Sequence, residues 1–285
     1  MMRTLLSLCV VVVCSMAFGA EPFVKKADIP YVPGGGERQQ LDIYLPPDYE
    51  KAEKPLPVIC FIHGGGWRQG TKDMAAFAAL RFVPKGYAVA GMTYRFRPQD
   101  PMPAQVIDCK AAVRWLKAHA KEYNLDANRF GVWGASAGGH LAAFLGAGGA
   151  KEFDVGENLD LPSTVQAAVV HFGPSDFVLW YKESPDATTR FQGLFGGTFE
   201  EKKDLIKSMS PVTHITKASS PMLIVHAVDD AVVPIVQGRK LHEVLQKADV
   251  ESEFLEMPTG EHDFRRLTTP DILDKIEKFF EKHLK

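Results

Sequence analysis

The sequence predicts an α/β fold with a mostly parallel central sheet and helices on both faces. Strand-like runs alternate with amphipathic helical runs along the chain, an order typical of parallel strands joined by helices. Several strand-like runs are apolar without interruption, which indicates burial on both faces of the sheet. The chain has 285 residues, 46% hydrophobic and 24% charged, an ordinary globular balance. This length suits one large domain or two small ones.

Seven strands are predicted from short apolar or β-branched runs. They lie at 41–45, 58–62, 88–93, 129–133, 167–172, 222–227 and 252–255. Five helices are predicted from apolar residues spaced three and four apart. They lie at 75–83, 104–123, 137–147, 236–246 and 271–284. In the last helix Thr269 is the expected N-cap and Pro270 the first position, so this helix should close the fold.

The stretch from Gly173 to about Met209 is too long for a simple connection and has no clean hydrophobic period. It carries six aromatic residues: Phe177, Trp180, Tyr181, Phe191, Phe195 and Phe199. Two interpretations stay open. The stretch is either a small cap-like insertion that lines a substrate pocket, or a helical excursion whose aromatic rings fill a small core of their own.

Residues 1–20 have the pattern of a secretory signal peptide. Arg3 supplies the cation, an apolar run extends from Leu5 to Val13, and small residues follow. A membrane anchor is the alternative, but the run is shorter than the roughly 20 apolar residues that a spanning helix needs. We therefore predict a cleaved leader, a mature domain at 21–285 and a secreted or periplasmic location.

Removal of the leader would leave two cysteines, Cys60 and Cys109. Cys60 falls in an apolar strand and Cys109 on the apolar stripe of a helix, so both are predicted to be buried thiols. A disulfide between them stays open. Neither cysteine has a His or Cys partner at the spacing of metal ligands, and no metal site is expected.

The charge balance argues against a nucleic-acid partner. The chain has 33 Lys and Arg against 35 Asp and Glu, a formal net charge of -2, and it has no basic stripe that would neutralise a phosphate backbone. No segment after the leader has the length and apolar character of a membrane span, so no stable membrane insertion is expected. The oligomeric state is not determined by these patterns.

The clearest chemical motif is Gly134-Ala135-Ser136-Ala137-Gly138, between the strand at 129–133 and the helix at 137–147. A tight turn from strand to helix admits only small neighbours and holds its serine in a strained conformation with the hydroxyl exposed. A solvated serine in a glycine-rich connection is the alternative. The context favours Ser136 as a nucleophile.

A second motif, His63-Gly64-Gly65-Gly66-Trp67, follows the buried strand at 58–62. Glycines there let backbone N–H groups approach a reacting centre and hold the negative charge that develops on a carbonyl oxygen. The N–H of Ala137, at the start of the helix after the serine, would be the complementary donor. We therefore predict an oxyanion hole formed by Gly64, Gly65 and Ala137.

A serine nucleophile needs a base, and the base needs an acid that orients it. Among nine histidines, His262 lies in a glycine-containing loop after the last strand, where this chain order places the base. The acid should come between serine and histidine. Asp229 and Asp230 both follow the strand at 222–227, and spacing alone does not separate them.

With these motifs, the chain resembles the α/β-hydrolase superfamily, and within it secreted esterases related to the hormone-sensitive lipase group and to bacterial feruloyl and acetylxylan esterases. The resemblance covers nearly all of the mature chain and is carried by the segments 63–67, 108–116, 134–139 and 226–234. In that family the acid is the fifth residue of a His-Gly-x-x-Asp-x-x-Val-Pro pattern, which implies Asp230.

The resemblance implies the α/β-hydrolase fold and a serine carboxylic-ester hydrolase that needs no cofactor. The implied catalytic residues are Ser136, His262 and Asp230, and the implied substrate is a small ester or an acylated polysaccharide with acetyl or feruloyl groups. Trp67 and Trp180 are candidate substrate-binding residues. Amide hydrolysis by the same residues and a catalytically inactive binding protein are the alternatives.

Overall fold

The computed structural model describes residues 22–183 and 187–285. The predicted leader at 1–20 lies outside the described residues and stays a prediction. Within the described chain, no helix is long and apolar enough to cross a membrane.

Eight strands of the described chain form a single sheet. They are β1 (Val24–Pro30), β2 (Gln40–Leu45), β3 (Leu56–Ile62), β4 (Ala88–Met92), β5 (Leu125–Ala135), β6 (Ala167–His171), β7 (Met222–Ala227) and β8 (Ser252–Met257). Their order across the sheet is β1-β2-β4-β3-β5-β6-β7-β8. β2 pairs antiparallel with both β1 and β4, and all other neighbours are parallel. The predicted mostly parallel sheet is confirmed.

Eight α-helices accompany the sheet in the described chain. They are α1 (Ala76–Phe82), α2 (Ala104–Ala118), α3 (Ala137–Ala147), α4 (Phe177–Glu183), α5 (Ala187–Phe195), α6 (Lys203–Ser208), α7 (Val236–Lys247) and α8 (Pro270–Leu284). Thr269 is the N-cap of α8 through its backbone position, without a hydrogen bond from its side chain, and Pro270 opens the helix as expected.

The sheet has a hydrophobic core on each face. Along β3, Val58 and Cys60 face the core formed with α2, α3 and α7, whereas Ile59 and Phe61 face the core formed with α1 and α8. The continuous apolar run of β3 therefore reflects burial on both sides, since alternate side chains of a strand point to opposite faces.

The structure differs most from the sequence-based expectation at one strand and at the end of one helix. β1 was not predicted, because exposed and half-buried residues alternate along this edge strand without an apolar run. α2 ends at Ala118 instead of extending to 123. Asn124 follows in a left-handed conformation with φ 51°, and the N–H of Leu125 donates to the carbonyl of Ala120, so the chain turns there to enter β5.

The stretch at 173–209 contains the three short helices α4, α5 and α6. Phe177, Phe191 and Phe195 are buried there and pack against one another, with ring centroids 5.4 Å apart for Phe177 and Phe195 and 5.6 Å apart for Phe191 and Phe195. Trp180 packs against Phe177 and Phe191 as well, and it also lines the cleft described below. The rings therefore fill a local core, and the role of the stretch as a cap over a substrate pocket stays a prediction.

Cys60 and Cys109 are buried free thiols. Burial raises the pKa of Cys60 to about 12, and burial also raises the pKa of Cys109 well above its usual range. Both therefore behave as packing residues rather than as nucleophiles, because the thiolate is the reactive form.

The parallel register brings four loops to one edge of the sheet. Ile62 of β3 pairs with Gly134 of β5, and Ala227 of β7 pairs with Met257 of β8, so these strands end at the same level. The loops that follow carry all of the chemical motifs found in the sequence, an arrangement typical of ligand sites in parallel sheets.

Candidate active site

Ser136 occupies the sharp turn between β5 and α3. Its φ of 55° and ψ of -120° are strained for a residue with a side chain, and its N–H donates to the carbonyl of His171 at 2.9 Å. A Cβ at Gly134 would lie 2.1 Å from the carbonyl oxygen of Gly138, and one at Gly138 would lie 2.0 Å from that of Ile62. The small neighbours are therefore required sterically, and the turn presents the hydroxyl to the cleft.

His262 connects the serine to a carboxylate. Its Nε2 lies 2.8 Å from Ser136 Oγ, and its Nδ1 lies 2.7 Å from Asp230 Oδ2. With the proton on Nδ1 donated to Asp230, Nε2 is free to accept the serine proton. The ring of Phe172 packs edge-on against the imidazole, with centroids 4.5 Å apart. Three segments distant in sequence thus form one hydrogen-bonded chain.

Asp230 is buried and held from several sides. Its Oδ1 accepts from the backbone N–H groups of Val232 and Val233, both at 2.8 Å. Burial alone would raise the pKa of Asp230, but hydrogen bonds from His226, His262 and the Val233 N–H outweigh it and hold this pKa below its usual range. The carboxylate is therefore charged at neutral pH and able to stabilise a protonated His262.

Asp229, which spacing did not separate from Asp230, has a different position. Its exposed carboxylate accepts from the hydroxyl of Thr259 at 2.6 Å and from the backbone N–H of Glu261 at 2.7 Å. It therefore braces the loop that carries His262 without touching the imidazole. The structure brings Asp230, the residue implied by the resemblance, to the histidine.

His226 supports the acid loop, which follows β7 and carries Asp230. Its Nε2 lies 2.8 Å from the carbonyl of Val233 and 3.5 Å from Asp230 Oδ2. An N–H at Nε2 that donates to Val233 fixes the turn that offers backbone donors to Asp230. The sequence placed His226 at a strand end as a loop-orienting residue, and this interpretation is confirmed.

Three other histidines near the site are too buried to serve as bases. Burial lowers the pKa of His63 to about 4, that of His140 to about 4 and that of His171 to about 3. His63 stacks on Tyr94, and its Nδ1 lies 2.7 Å from the carbonyl of Gly64, so it orients the glycine loop. These side chains stay neutral and structural.

The glycine loop lies directly against the serine. A Cβ at Gly64 would lie 2.9 Å from the carbonyl of Ala135 and 3.4 Å from Ser136 Cβ. Gly65 has φ 111°, and a Cβ there would lie 2.1 Å from the carbonyl of Gln69, so no larger residue fits. Within the described residues, the N–H groups of Gly64, Gly65 and Ala137 donate no hydrogen bond. The oxyanion hole at these three residues stays a prediction.

Comparisons with known proteins show the family of the chain. The profile of the BD-FAE family matches residues 41–245, a span that contains the glycine loop, the serine turn and the acid loop. The chain belongs to the BD-FAE family. Esterase LipC of Mycobacterium tuberculosis is 29% identical over 252 residues, covering 85% of this chain and 59% of that esterase. The chain thus spans little more than half the length of this curated relative.

Solved structures extend the BD-FAE comparison to the fold. A truncated form of a carbohydrate esterase from gut microbiota superposes with a TM-score of 0.83 at 30% identity, covering 93% of this chain and 98% of the other. A bifunctional GH43-CE protein of Bacteroides eggerthii superposes with a TM-score of 0.82 at 30% identity, covering 92% of this chain and 38% of the other. The predicted α/β-hydrolase fold is confirmed.

In this BD-FAE protein, Ser136 lines a cleft of about 790 Å³. Trp67 and Trp180, the two predicted substrate-binding residues, both line it, with ring centroids 6.4 Å apart. Phe172 and Phe264 line it near the histidine. The cleft is thus a mixed surface of aromatic walls and backbone donors, a composition typical of small-molecule sites.

Sequence reasoning missed the cationic residues of the cleft. Arg97 comes from the loop after β4 and Arg190 from α5, and both line the cleft. Arg97 follows the carboxyl end of a parallel strand, a position that would have marked it as a candidate. Among residues 22–183 and 187–285, no group of three or more His, Cys, Asp and Glu side chains is placed to hold a metal ion.

Proposed function

We propose that this protein is a serine carboxylic-ester hydrolase that removes acetyl or feruloyl groups from acylated carbohydrates. The observation that carries the proposal is the hydrogen-bonded chain from Ser136 through His262 to Asp230. Ser136 and His262 line the cleft. A serine bonded to an imidazole that is itself oriented by a buried carboxylate is the arrangement that acyl transfer requires.

The reaction follows from this geometry. Ser136 Oγ attacks the ester carbonyl as His262 Nε2 takes its proton, and the oxygen that becomes negative is stabilised by the N–H groups of Gly64, Gly65 and Ala137. His262 then gives the proton to the leaving alcohol, and an acyl-serine ester remains. Water, deprotonated by His262, attacks this ester and releases the carboxylic acid. Asp230 stabilises the imidazolium in both halves of the reaction.

The carbohydrate part of the proposal has two supports. Among the similar solved structures is a protein named as a carbohydrate esterase, at 30% identity over nearly its whole length. The cleft is also lined by Trp67 and Trp180, each 3% exposed, so a small apolar part of each indole is available to contact a sugar ring. A polymer-facing role agrees with the predicted leader at 1–20, and we propose that the mature chain is secreted or periplasmic.

The test uses the mature protein, residues 21–285, and its Ser136→Ala variant. Both are incubated with xylan that carries acetyl and feruloyl groups, and free acetate and ferulate are measured together. We expect release of at least one acid by the unmodified protein and none by the variant. Equal release by both proteins would refute the proposal. Cleavage of 4-nitroacetanilide with no cleavage of any ester would replace it with amide hydrolysis.

A further inference from the structure

The cleft has an uneven distribution of charge. Three arginines line it: Arg68 from the glycine loop, Arg97 from the loop after β4, and Arg190 from α5. No aspartate or glutamate of the described chain lines this cleft. Three separate parts of the fold therefore converge to place guanidinium groups, which are cationic at any physiological pH, around one space.

Among the arginines of the described residues, these three differ from most others because no carboxylate pairs with them. Within residues 22–183 and 187–285, none of the three forms an ion pair; Arg97 donates from Nε to the carbonyl of Gly66 at 2.9 Å, and Arg190 lies over the ring of Trp180, 4.8 Å from its centroid. Other arginines do pair with carboxylates: Arg81, Arg95, Arg114, Arg129, Arg239 and Arg266.

The three guanidinium groups also repel one another. Burial lowers the pKa of Arg97 from its ordinary value, and the charges of Arg68 and Arg190 lower it further. Arg97 and Arg190 are half-buried, so their charges are less screened than those of fully exposed residues. A cluster of this kind is destabilising when the cleft is empty and is relieved when an anion enters.

A smaller adjoining depression at His262 has a net negative charge. It is lined by Asp229, Glu261 and Asp263, and Arg266 pairs with Glu261 and lies 3.9 Å from Asp263. An anionic substrate would therefore be repelled from that side and attracted to the arginine side. This polarity would orient such a substrate relative to Ser136 before any chemistry occurs.

We infer that Arg68, Arg97 and Arg190 bind a carboxylate group of the substrate, at a distance from the ester that is cleaved. A guanidinium group presents paired N–H donors that match the two oxygens of a carboxylate. The inference rests on the proposed ester hydrolysis and specifies its substrate as an acidic ester. The carboxylate belongs either to the alcohol part, as in an acylated uronic acid, or to the acyl part, as in the half-ester of a dicarboxylic acid.

Binding to the Ser136→Ala variant tests this without relying on turnover. Two matched pairs of ligands are titrated at low salt, with affinity measured from NMR chemical shifts. The first pair is the 3-O-acetyl ester of methyl glucuronide and that of methyl glucoside, and the second is monomethyl adipate and methyl hexanoate. Within each pair the ligands differ by one carboxylate.

We expect the acidic member of at least one pair to bind about tenfold more tightly or better, since hydrogen bonds to charged groups are stronger than neutral ones. A preference in the first pair places the carboxylate on the alcohol side, and a preference in the second places it on the acyl side. Added salt should reduce either preference. No measurable preference in both pairs would overturn the inference.

Substitutions then assign the preference to the cluster. Arg68→Gln and Arg190→Gln should each reduce the ratio of acidic to neutral affinity several-fold, whereas Arg239→Gln, on the exposed face of α7, should leave it unchanged. Arg68 is exposed, so its replacement is compatible with folding. An affinity ratio that both cleft variants keep would also overturn the inference.

The two proposals fail in different ways. Ser136-dependent hydrolysis of neutral esters without a binding preference for the acidic ligands would refute this inference alone. A binding preference for the acidic ligands without any hydrolysis would refute the proposed function alone.

Discussion

His262 Nε2 lies 2.8 Å from Ser136 Oγ, although 126 residues separate the two in the chain. The contact depends on the parallel pairing of β5, β6, β7 and β8, because each strand carries the next loop to the same edge of the sheet. Neither residue is adjacent in sequence to the carboxylate that completes the chain of hydrogen bonds.

Substitutions of Ser136, Asp230 and Asp229 should show which of the two adjacent aspartates serves His262. We expect Ser136→Ala to lower kcat about a million-fold and Asp230→Asn about ten-thousand-fold, because the asparagine would favour the wrong tautomer of His262. Asp229→Asn is the matched control: its side chain braces the Thr259 and Glu261 loop and does not touch the imidazole, so its loss should be far smaller. Hydrolysis of 4-nitrophenyl acetate measures all three. An Asp229→Asn defect as large as that of Asp230→Asn would contradict the assignment.

The conformation of the glycine loop should be essential for turnover. In Gly65→Ala, the new Cβ would lie 2.1 Å from the carbonyl of Gln69, at a residue with φ 111°, so the loop must shift and move its N–H groups away from the serine. We expect kcat to fall about a hundred- to a thousand-fold, the cost of losing an oxyanion donor. Gly36→Ala, with nothing within 4 Å of its Cβ, serves as control and should keep full activity. Circular dichroism first checks that both variants fold, and steady-state kinetics then measures kcat of each. Equal kcat values would argue against an oxyanion hole in this loop.

Stability should fall with acidification because of the buried histidines. Burial lowers the pKa of His171 to about 3 in the folded chain, below the ordinary value of 6.5. As pH falls below 6.5 the unfolded chain takes up a proton and the folded chain does not, so the stabilisation is complete above 6.5 and is lost toward about pH 3. The His171→Leu variant should therefore show a pH slope of its unfolding free energy that is smaller by up to about 1.4 kcal/mol per pH unit. Urea unfolding at pH 7.5, 6.0 and 5.0 measures both slopes, and identical slopes would show that His171 is protonated equally in both states.

The indole of Trp180 should contribute to binding of sugar esters. We expect Trp180→Leu to raise KM for an acetylated xylo-oligosaccharide by about fivefold, since an aromatic contact of this kind is worth roughly 1 kcal/mol. The KM for 4-nitrophenyl acetate should change less, because this small ester does not span the cleft. Trp115, which stacks on His119 of the α2 end away from the cleft, provides the control variant Trp115→Leu. If both tryptophan variants change the two KM values alike, Trp180 is a packing residue only.

Some elements of the fold were predictable from sequence and others were not, depending on whether burial or steric limits leave a local pattern of residues. β3 and β7 were recognised because burial on both faces leaves a continuous apolar run, and the serine turn was recognised because its steric limits require small residues at fixed positions. β1 was missed because an edge strand that is half exposed has no such run. α4, α5 and α6 were missed as elements because short helices in an irregular stretch bury their rings in a local core without a clean period.

The sequence by itself determined the class of sheet and the place of the serine turn, because strand burial, helix periodicity and tight-turn sterics are local properties of a few neighbouring residues. It also predicted His262 as the base, because this histidine follows the last strand in the chain order. Only the tertiary structure separated Asp230 from Asp229 by their contacts, and only it brought Arg68, Arg97 and Arg190 around one cleft. Those facts depend on which loops meet at the edge of the sheet and on which side chains lose water there. Such encounters between distant segments are decided by strand register and packing, and the local pattern at 226–234 implied Asp230 only through the family resemblance.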